Sequence, residues 1–165
     1  MSTTTCSKIF ADLPFAHRQH LHQGHCALIH GHNWVFELEF ACDRLDENQF
    51  VVDFGELKFI RAFLEENFDH TLLLNQDDPC LPVLREKLLR PDVPAGTLDD
   101  NGIPFTAFAK IVAVPNCGAE GLAKWIFQQL NPMLRAWRAD WRERGVRVSK
   151  VIAREDSKNF ATYAG

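Results

Sequence analysis

His30-Gly31-His32-Asn33-Trp34-Val35-Phe36-Glu37-Leu38-Glu39-Phe40-Ala41-Cys42 is the stretch on which the fold turns. Trp34, Phe36, Leu38 and Phe40 alternate against Glu37 and Glu39. That period of two predicts a strand over residues 32–42 with one face in the core. Carrying the parity backwards puts His30 and His32 on the apolar face. Two histidines at i and i+2 on a strand point the same way, as a metal needs.

Upstream, residues 7–17 read as a second strand. Ile9, Ala11, Leu13, Phe15 and His17 share one parity, and Pro14 marks an edge position or a bulge. Downstream, Val51-Val52-Asp53-Phe54-Gly55-Glu56 opens an amphipathic helix to about residue 68. Asp53 suits its N-cap, Glu56 completes a capping box, and Leu57, Ile60, Leu64 and Phe68 form its apolar stripe. Residues 75–104 carry five prolines and read as an excursion with a short helix at 82–89. Residues 105–114 suggest a strand. Residues 118–141 suggest a second long helix, with a stripe of Leu122, Ile126, Leu130, Met133 and Trp137 that Pro132 kinks or splits. A last strand over 145–155 carries Glu155. Strand pairs and helices in blocks predict an α+β fold, antiparallel strands with helices on one face.

A chain of 165 residues is predicted to be a single domain over 1–165 with a substantial core. Its 18 basic and 22 acidic residues give a formal charge of −4 with no basic run, which argues against nucleic acid as a partner. No apolar run reaches the length of a membrane span, and the first residues lack the pattern of a secretory signal. The five cysteines at 6, 26, 42, 80 and 117 form no CxxC and no disulfide framework. Together these features predict a cytoplasmic protein.

Six of the seven histidines fall between His17 and His32. If the two strands pair, His17 meets His30 and His32. Three neutral imidazoles with an open position are the pattern of a catalytic zinc. His20, His22 and His25 fall in a loop and are weaker ligands. Cys26 stands four residues before His30. Metal and imidazolium charge nearby favour a thiolate, which could act as nucleophile or general base, or as a fourth ligand that closes the site. In Asp69-His70 a carboxylate adjoins an imidazole whose tautomer it can fix.

Cys26-x-x-x-His30-Gly31-His32, Val52-Asp53-Phe54-Gly55-Glu56-Leu57-Lys58, Asp69-His70, Ala119-Glu120-Gly121-Leu122-Ala123-Lys124-Trp125, Glu155 and Tyr163-Ala164-Gly165 occur in an order that resembles the 6-pyruvoyl- and 6-carboxy-tetrahydropterin synthase family. The three-residue spacer after Cys26 is similar to that of the bacterial 6-carboxy-tetrahydropterin synthases of queuosine and deazapurine biosynthesis. The resemblance implies the tunnelling fold, an antiparallel four-stranded sheet with two helices on one face, assembled into a barrel as a homo-oligomer, a hexamer. It implies Zn2+ on His17, His30 and His32. It implies Cys26, Asp69 and His70 as the proton-transfer set and Glu155 as the anchor of the pterin edge. The implied substrate is a pterin triphosphate, 7,8-dihydroneopterin triphosphate. The implied products are 6-carboxy-5,6,7,8-tetrahydropterin, acetaldehyde and triphosphate. Formation of pyruvoyl-tetrahydropterin on the same scaffold is the near alternative; a non-catalytic zinc- or pterin-binding protein is the remoter one. One departure stands out: Gly118 replaces the threonine usual two residues before the second-helix glutamate.

Overall fold

The structure is a computed structural model that describes residues 4–88 and 109–165. Strands β1 (Thr5–His17) and β2 (His30–Ala41) form the central antiparallel pair. β2 continues antiparallel to β5 (Arg147–Arg154), and β5 to β6 (Phe160–Ala164). On the other side, β3 (Thr71–Asn75) runs parallel to β1, and β4 (Lys110–Val114) parallel to β3. The sheet is therefore six-stranded and mixed, in the order β4-β3-β1-β2-β5-β6, rather than four-stranded and antiparallel. The expected sheet lacks β3, a fully buried run, Thr-Leu-Leu-Leu-Asn. A strand covered on both faces shows no alternation to read. It also lacks β6, whose pattern is short and mostly exposed. The expected strand at 105–114 starts in residues outside those described.

β2 bears out its alternation: Trp34, Phe36, Leu38 and Phe40 are all fully buried. β1 does not follow a single parity. Phe10 is 2% exposed and Ile9 62%, yet Leu13, Phe15 and His17 are buried. Two residues separate Phe10 from Leu13, so a bulge must absorb one of them. The register shifts at that point, and Asp12 takes φ 60°. The irregularity flagged by Pro14 is thus a bulge two residues upstream, in an interior strand and not at an edge.

Helix α1 (Lys58–Phe68) follows a 3-10 turn over Phe54–Leu57. Asp53 caps that turn by accepting from Gly55 N at 2.8 Å. Glu56 does not complete a capping box; its carboxylate pairs with Arg138 at 3.0 Å. Leu57, Ile60, Leu64 and Phe68 are fully buried as the stripe demands. α3 (Ala119–Trp137) contains Pro132 and ends at Arg138, before a short α4 (Ala139–Glu143). Its buried stripe runs Leu122, Ile126, Leu130 and then Leu134, not Met133 and Trp137. Trp137 is half exposed and stacks on Phe59 with centroids 4.3 Å apart.

α1, α3 and Trp141 of α4 share one apolar core with the inward residues of β1, β2 and β5. α2 (Leu81–Leu88) packs elsewhere: Leu81 joins Leu72 and Leu74, while Leu73 belongs to the main core. Alternate residues of β3 point to opposite faces, so α2 covers the other face of the sheet. Two helices on one face describe α1 and α3 only.

The bulge yields a test. Asp12→Val places a β-branched residue in left-handed backbone and should destabilise the protein by about 1–2 kcal/mol. Asp12→Gly should stay within a few tenths of a kcal/mol of the parent. Urea unfolding of both variants checks this; equal stabilities would mean that the bulge is not conformationally demanding.

Candidate metal centre and active site

The β1–β2 register sets His17 directly across from His30, and Phe15 across from His32. The three rings converge above an aromatic floor. Trp34 meets His17 edge-on at 5.2 Å and stacks on Phe15 at 4.9 Å; Phe15 in turn contacts Phe68 at 5.3 Å. Glu155, just past the end of β5, completes the group. One ligand atom each of His17, His30, His32 and Glu155 lies within 4.8 Å of the others.

The tautomers follow from the backbone. His17 Nδ1–H donates to Cys117 O at 2.9 Å, and His30 Nδ1–H donates to Leu28 O at 2.8 Å. A carbonyl can only accept, so in the neutral rings Nε2 carries the lone pair. His17 is buried, and that burial, outweighing the Cys117 hydrogen bond, holds its pKa below the ordinary value; His30 and His32 push the same way and Glu155 opposes. His17 is therefore neutral near pH 7. Its Nε2 nevertheless lies 3.1 Å from Glu155 Oε1, and His32 Nε2 lies 3.2 Å from the same oxygen. His32 Nε2 is buried and makes no hydrogen bond. Neutral His17 thus turns its Nε2 lone pair toward a carboxylate oxygen at close range, an arrangement that a proton or a cation between them stabilises. A divalent metal bound by three imidazoles fits this donor set, and the two Nδ1–H bonds are the outer contacts that orient such ligands.

A cleft of about 690 Å³ opens beside the group, lined by His17, Gln19, Cys26, Asn116, Glu155 and Lys158 among others. Cys26 sits in a 3-10 turn over His25–Ala27, outside the four-residue ligand group but on the wall of the same cleft. Lys158 belongs to the β5–β6 turn. There Asp156 Oδ1 accepts from the Lys158 and Asn159 backbone N–H groups at 2.7 Å, bonds that hold its carboxyl below the usual range.

Asp69 and His70 lie elsewhere. They follow α1, where His70 takes φ 51° and its ring donates from Nδ1 to Asp69 Oδ1 at 2.8 Å. The pair is therefore in contact, as its adjacency allowed. His70 lines a different depression with Pro14, Phe15, Gly31 and His32, and its side chain is 82% exposed. Within one chain, Cys26 and the Asp69–His70 pair do not share a pocket.

Glu155 reads in the sequence as a residue remote from the ligands; β5 pairing with β2 brings it among them. Gln19, Asn75 and Asn116 carry no motif that marks them. Cys117 is fully buried, its thiol pushed up to about 11, chiefly by burial, and donates to Arg18 O at 3.1 Å. Its burial and that bond fit a structural thiol. Gly118 faces the Gln19 amide, which fills the space a side chain at 118 would take. Of the loop histidines, His20 is buried against Asn75 at 3.3 Å, and His22 lines the cleft.

Because the folded state depresses the His17 pKa, the unfolded chain binds more protons in mildly acid solution. Stability from this group is full above the ordinary pKa of about 6.5 and is lost as pH falls through the lower folded value. Metal-free protein should therefore show a falling urea midpoint between pH 8 and pH 5, and His17→Gln should flatten that fall. A midpoint that rises on acidification would show that the cluster gains protons on folding.

A family profile described as 6-pyruvoyl tetrahydropterin synthase matches residues 6–165. The 6-carboxy-5,6,7,8-tetrahydropterin synthase of Aquifex aeolicus is 30% identical over 143 residues, 84% of this chain and 75% of that protein. The protein of the same name from Rickettsia felis is 43% identical over 63 residues, 38% of this chain; the match spans about half of that relative's length, 46%. Among solved structures, an uncharacterized Wolinella succinogenes protein superposes with TM-score 0.74 at 20% identity, covering 100% of this chain and 99% of that one. The 6-pyruvoyl tetrahydropterin synthase of Plasmodium vivax superposes with TM-score 0.60 at 17% identity, covering 97% of each chain. No helix among the described residues is long and apolar enough to cross a membrane. The β1–β2 histidine register, the cleft beside it and the match along nearly the whole chain lead to one assignment: this chain belongs to the 6-pyruvoyl tetrahydropterin synthase family.

Proposed function

We propose that the protein is a zinc-dependent 6-carboxy-tetrahydropterin synthase, a single tunnelling-fold domain acting in the cytoplasm in queuosine or deazapurine biosynthesis. It converts 7,8-dihydroneopterin triphosphate to 6-carboxy-5,6,7,8-tetrahydropterin, acetaldehyde and triphosphate. The observation that carries this reading is the convergence of His17, His30, His32 and Glu155, with His17 and Glu155 on the wall of a cleft that also holds Cys26. The curated relatives named for this activity support the choice of product over a pyruvoyl-tetrahydropterin.

His17, His30 and His32 would hold the zinc, which would supply Lewis-acid polarisation of substrate side-chain oxygens. Cys26 Sγ, on the wall of the cleft, removes a proton from the substrate side-chain carbon. His70, oriented by Asp69, returns or relays the proton. That pair lies outside the Cys26 cleft, and a second copy in the homo-oligomer, a hexamer, would bring it to the mouth. Glu155 accepts paired N–H bonds from the amino-pyrimidine edge. Lys158, held by the Asp156 turn, is the cation available to phosphate oxygens. The Gln19 amide stands beside Gly118 where the usual hydroxyl is missing and offers the pterin a polar contact there.

Incubation of zinc-loaded protein with dihydroneopterin triphosphate should release acetaldehyde and the 6-carboxy product. Retention of the three-carbon side chain would select the pyruvoyl reaction, and no turnover the binding-protein alternative. Cys26→Ala should keep zinc and lose roughly 10²–10⁴-fold in turnover, the usual contribution of a general base. Loss of zinc in that variant would make Cys26 a ligand. His30→Ala and His32→Ala should lose zinc, while His22→Ala should keep it.

Glu155→Gln separates two tasks of this carboxylate, because Oε1 lies beside both His17 and His32. As pterin anchor, its replacement should weaken binding of a product analogue about tenfold to hundredfold, from roughly 1.5–3 kcal/mol of charge-assisted bonding, with zinc retained. Loss of zinc with little change in pterin affinity would instead make Glu155 a fourth ligand.

A further inference from the structure

We propose that Asn75 is a positioning residue for the metal-binding histidine His17, acting through the backbone of Cys117. This rests on the metal reading of the site and adds a contact that lies outside the ligand group.

Asn75 is the last residue of β3, and the parallel pairing with β4 sets it opposite Val114. The chain leaving β4 therefore passes directly over the Asn75 side chain. Asn75 Oδ1 accepts from Cys117 N–H at 2.7 Å, and Cys117 O accepts from His17 Nδ1–H at 2.9 Å. Asn75, Cys117 and His17 are 6%, 0% and 3% exposed, so water cannot replace either bond. The next peptide N–H, that of Gly118, donates to Asn116 Oδ1 at 2.8 Å. Two asparagine oxygens thus clamp successive N–H groups of the 116–118 turn. Between them the Cys117 carbonyl is left only one direction, toward His17.

That direction decides what His17 can do. A carbonyl at Nδ1 selects the tautomer whose Nε2 lone pair faces His30 and His32 and locks the ring angle. A turn free to rotate would let the ring protonate at Nε2 and present N–H to the metal position. Asn75 has its own position fixed from the far side, where Nδ2 reaches Gln19 Oε1 at 3.4 Å and His20 Nδ1 at 3.3 Å. The chain of contacts runs from sheet topology, through one side-chain amide and one carbonyl, to a ligand tautomer.

The test is the zinc dissociation constant of the full chain, measured by competition with a chromophoric chelator. Asn75→Ala should weaken zinc by about 10–100-fold, as loss of an outer contact typically does. Asn75→Asp keeps the acceptor and should recover most of that loss. Should Asn75→Ala not fold, Asn75→Ser, too short to reach Cys117 N–H, gives the same comparison with Asn75→Asp. A merely structural role would lower the thermal midpoint of the variants without separating their zinc constants, and that result overturns the proposal. Wild-type protein that binds no zinc overturns the metal reading and this proposal with it. Wild-type binding with Asn75→Ala unchanged overturns the positioning role alone.

Discussion

His17 faces His30 across the β1–β2 pair, and that opposition exists only because a residue is looped out at Asp12. Phe10 must point into the core to pack under α1, and His17 must point to the same side to reach the ligand group. They stand seven positions apart, an odd offset, and an unbroken strand sends odd offsets to opposite faces. The left-handed backbone at Asp12 resolves the conflict. Downstream of the bulge, Leu13, Phe15 and His17 fall into one column with Trp34 and Phe68 beneath the histidines. The metal group is thus an extension of the hydrophobic core, built on strands whose positions are set by packing rather than by loops.

The same construction explains why the group suits a cation. Core-like burial keeps His17 neutral, and backbone carbonyls at Nδ1 of His17 and His30 turn their Nε2 lone pairs toward each other and toward Glu155. Left to itself, such a constellation stores repulsion between acceptors in a medium that screens charge poorly. A divalent cation held by these ligands would relieve it. Sites of this kind gain affinity from preorganisation, because the ligands have little conformational freedom left to lose.

Much of this was legible in the residues. The alternation of β2 put His30 and His32 on the core face, and the stripe of α1 was read without error, because both elements are covered on one side and keep a clean period. β1 misled through its bulge: Ile9 and Ala11 continue the parity of Leu13 and Phe15 in the sequence, and only the burial of Phe10 reveals the slip. β3 was hidden for the opposite reason, since Leu72, Leu73 and Leu74 are buried on both faces and show no period at all. The end of α3 drifted past Pro132, so Leu134 replaced Met133 and Trp137 in the stripe. Glu155 could be named but not placed, because its neighbours come from β2 pairing with β5, more than a hundred residues apart in sequence. Asn75 and Asn116 had no signature: an asparagine that holds one backbone N–H looks like any other.

The candidate ligands and the candidate proton carriers stand on two kinds of structure. His17, His30 and His32 stand on the central antiparallel pair β1 and β2, whose register sets the distances a metal would need. Cys26 occupies a short 3-10 turn, and His70 an exposed left-handed position after a helix. Proton transfer requires approach and withdrawal, and exposed turns allow that motion at low cost in packing. His70 keeps one constraint, the bond from Nδ1 to Asp69, so in the proposed reaction Nε2 would exchange the proton. Fixed ligands and acid–base groups that must approach a substrate place opposite demands on the backbone, and in the proposed reaction the sheet would serve the first and the turns at its ends the second.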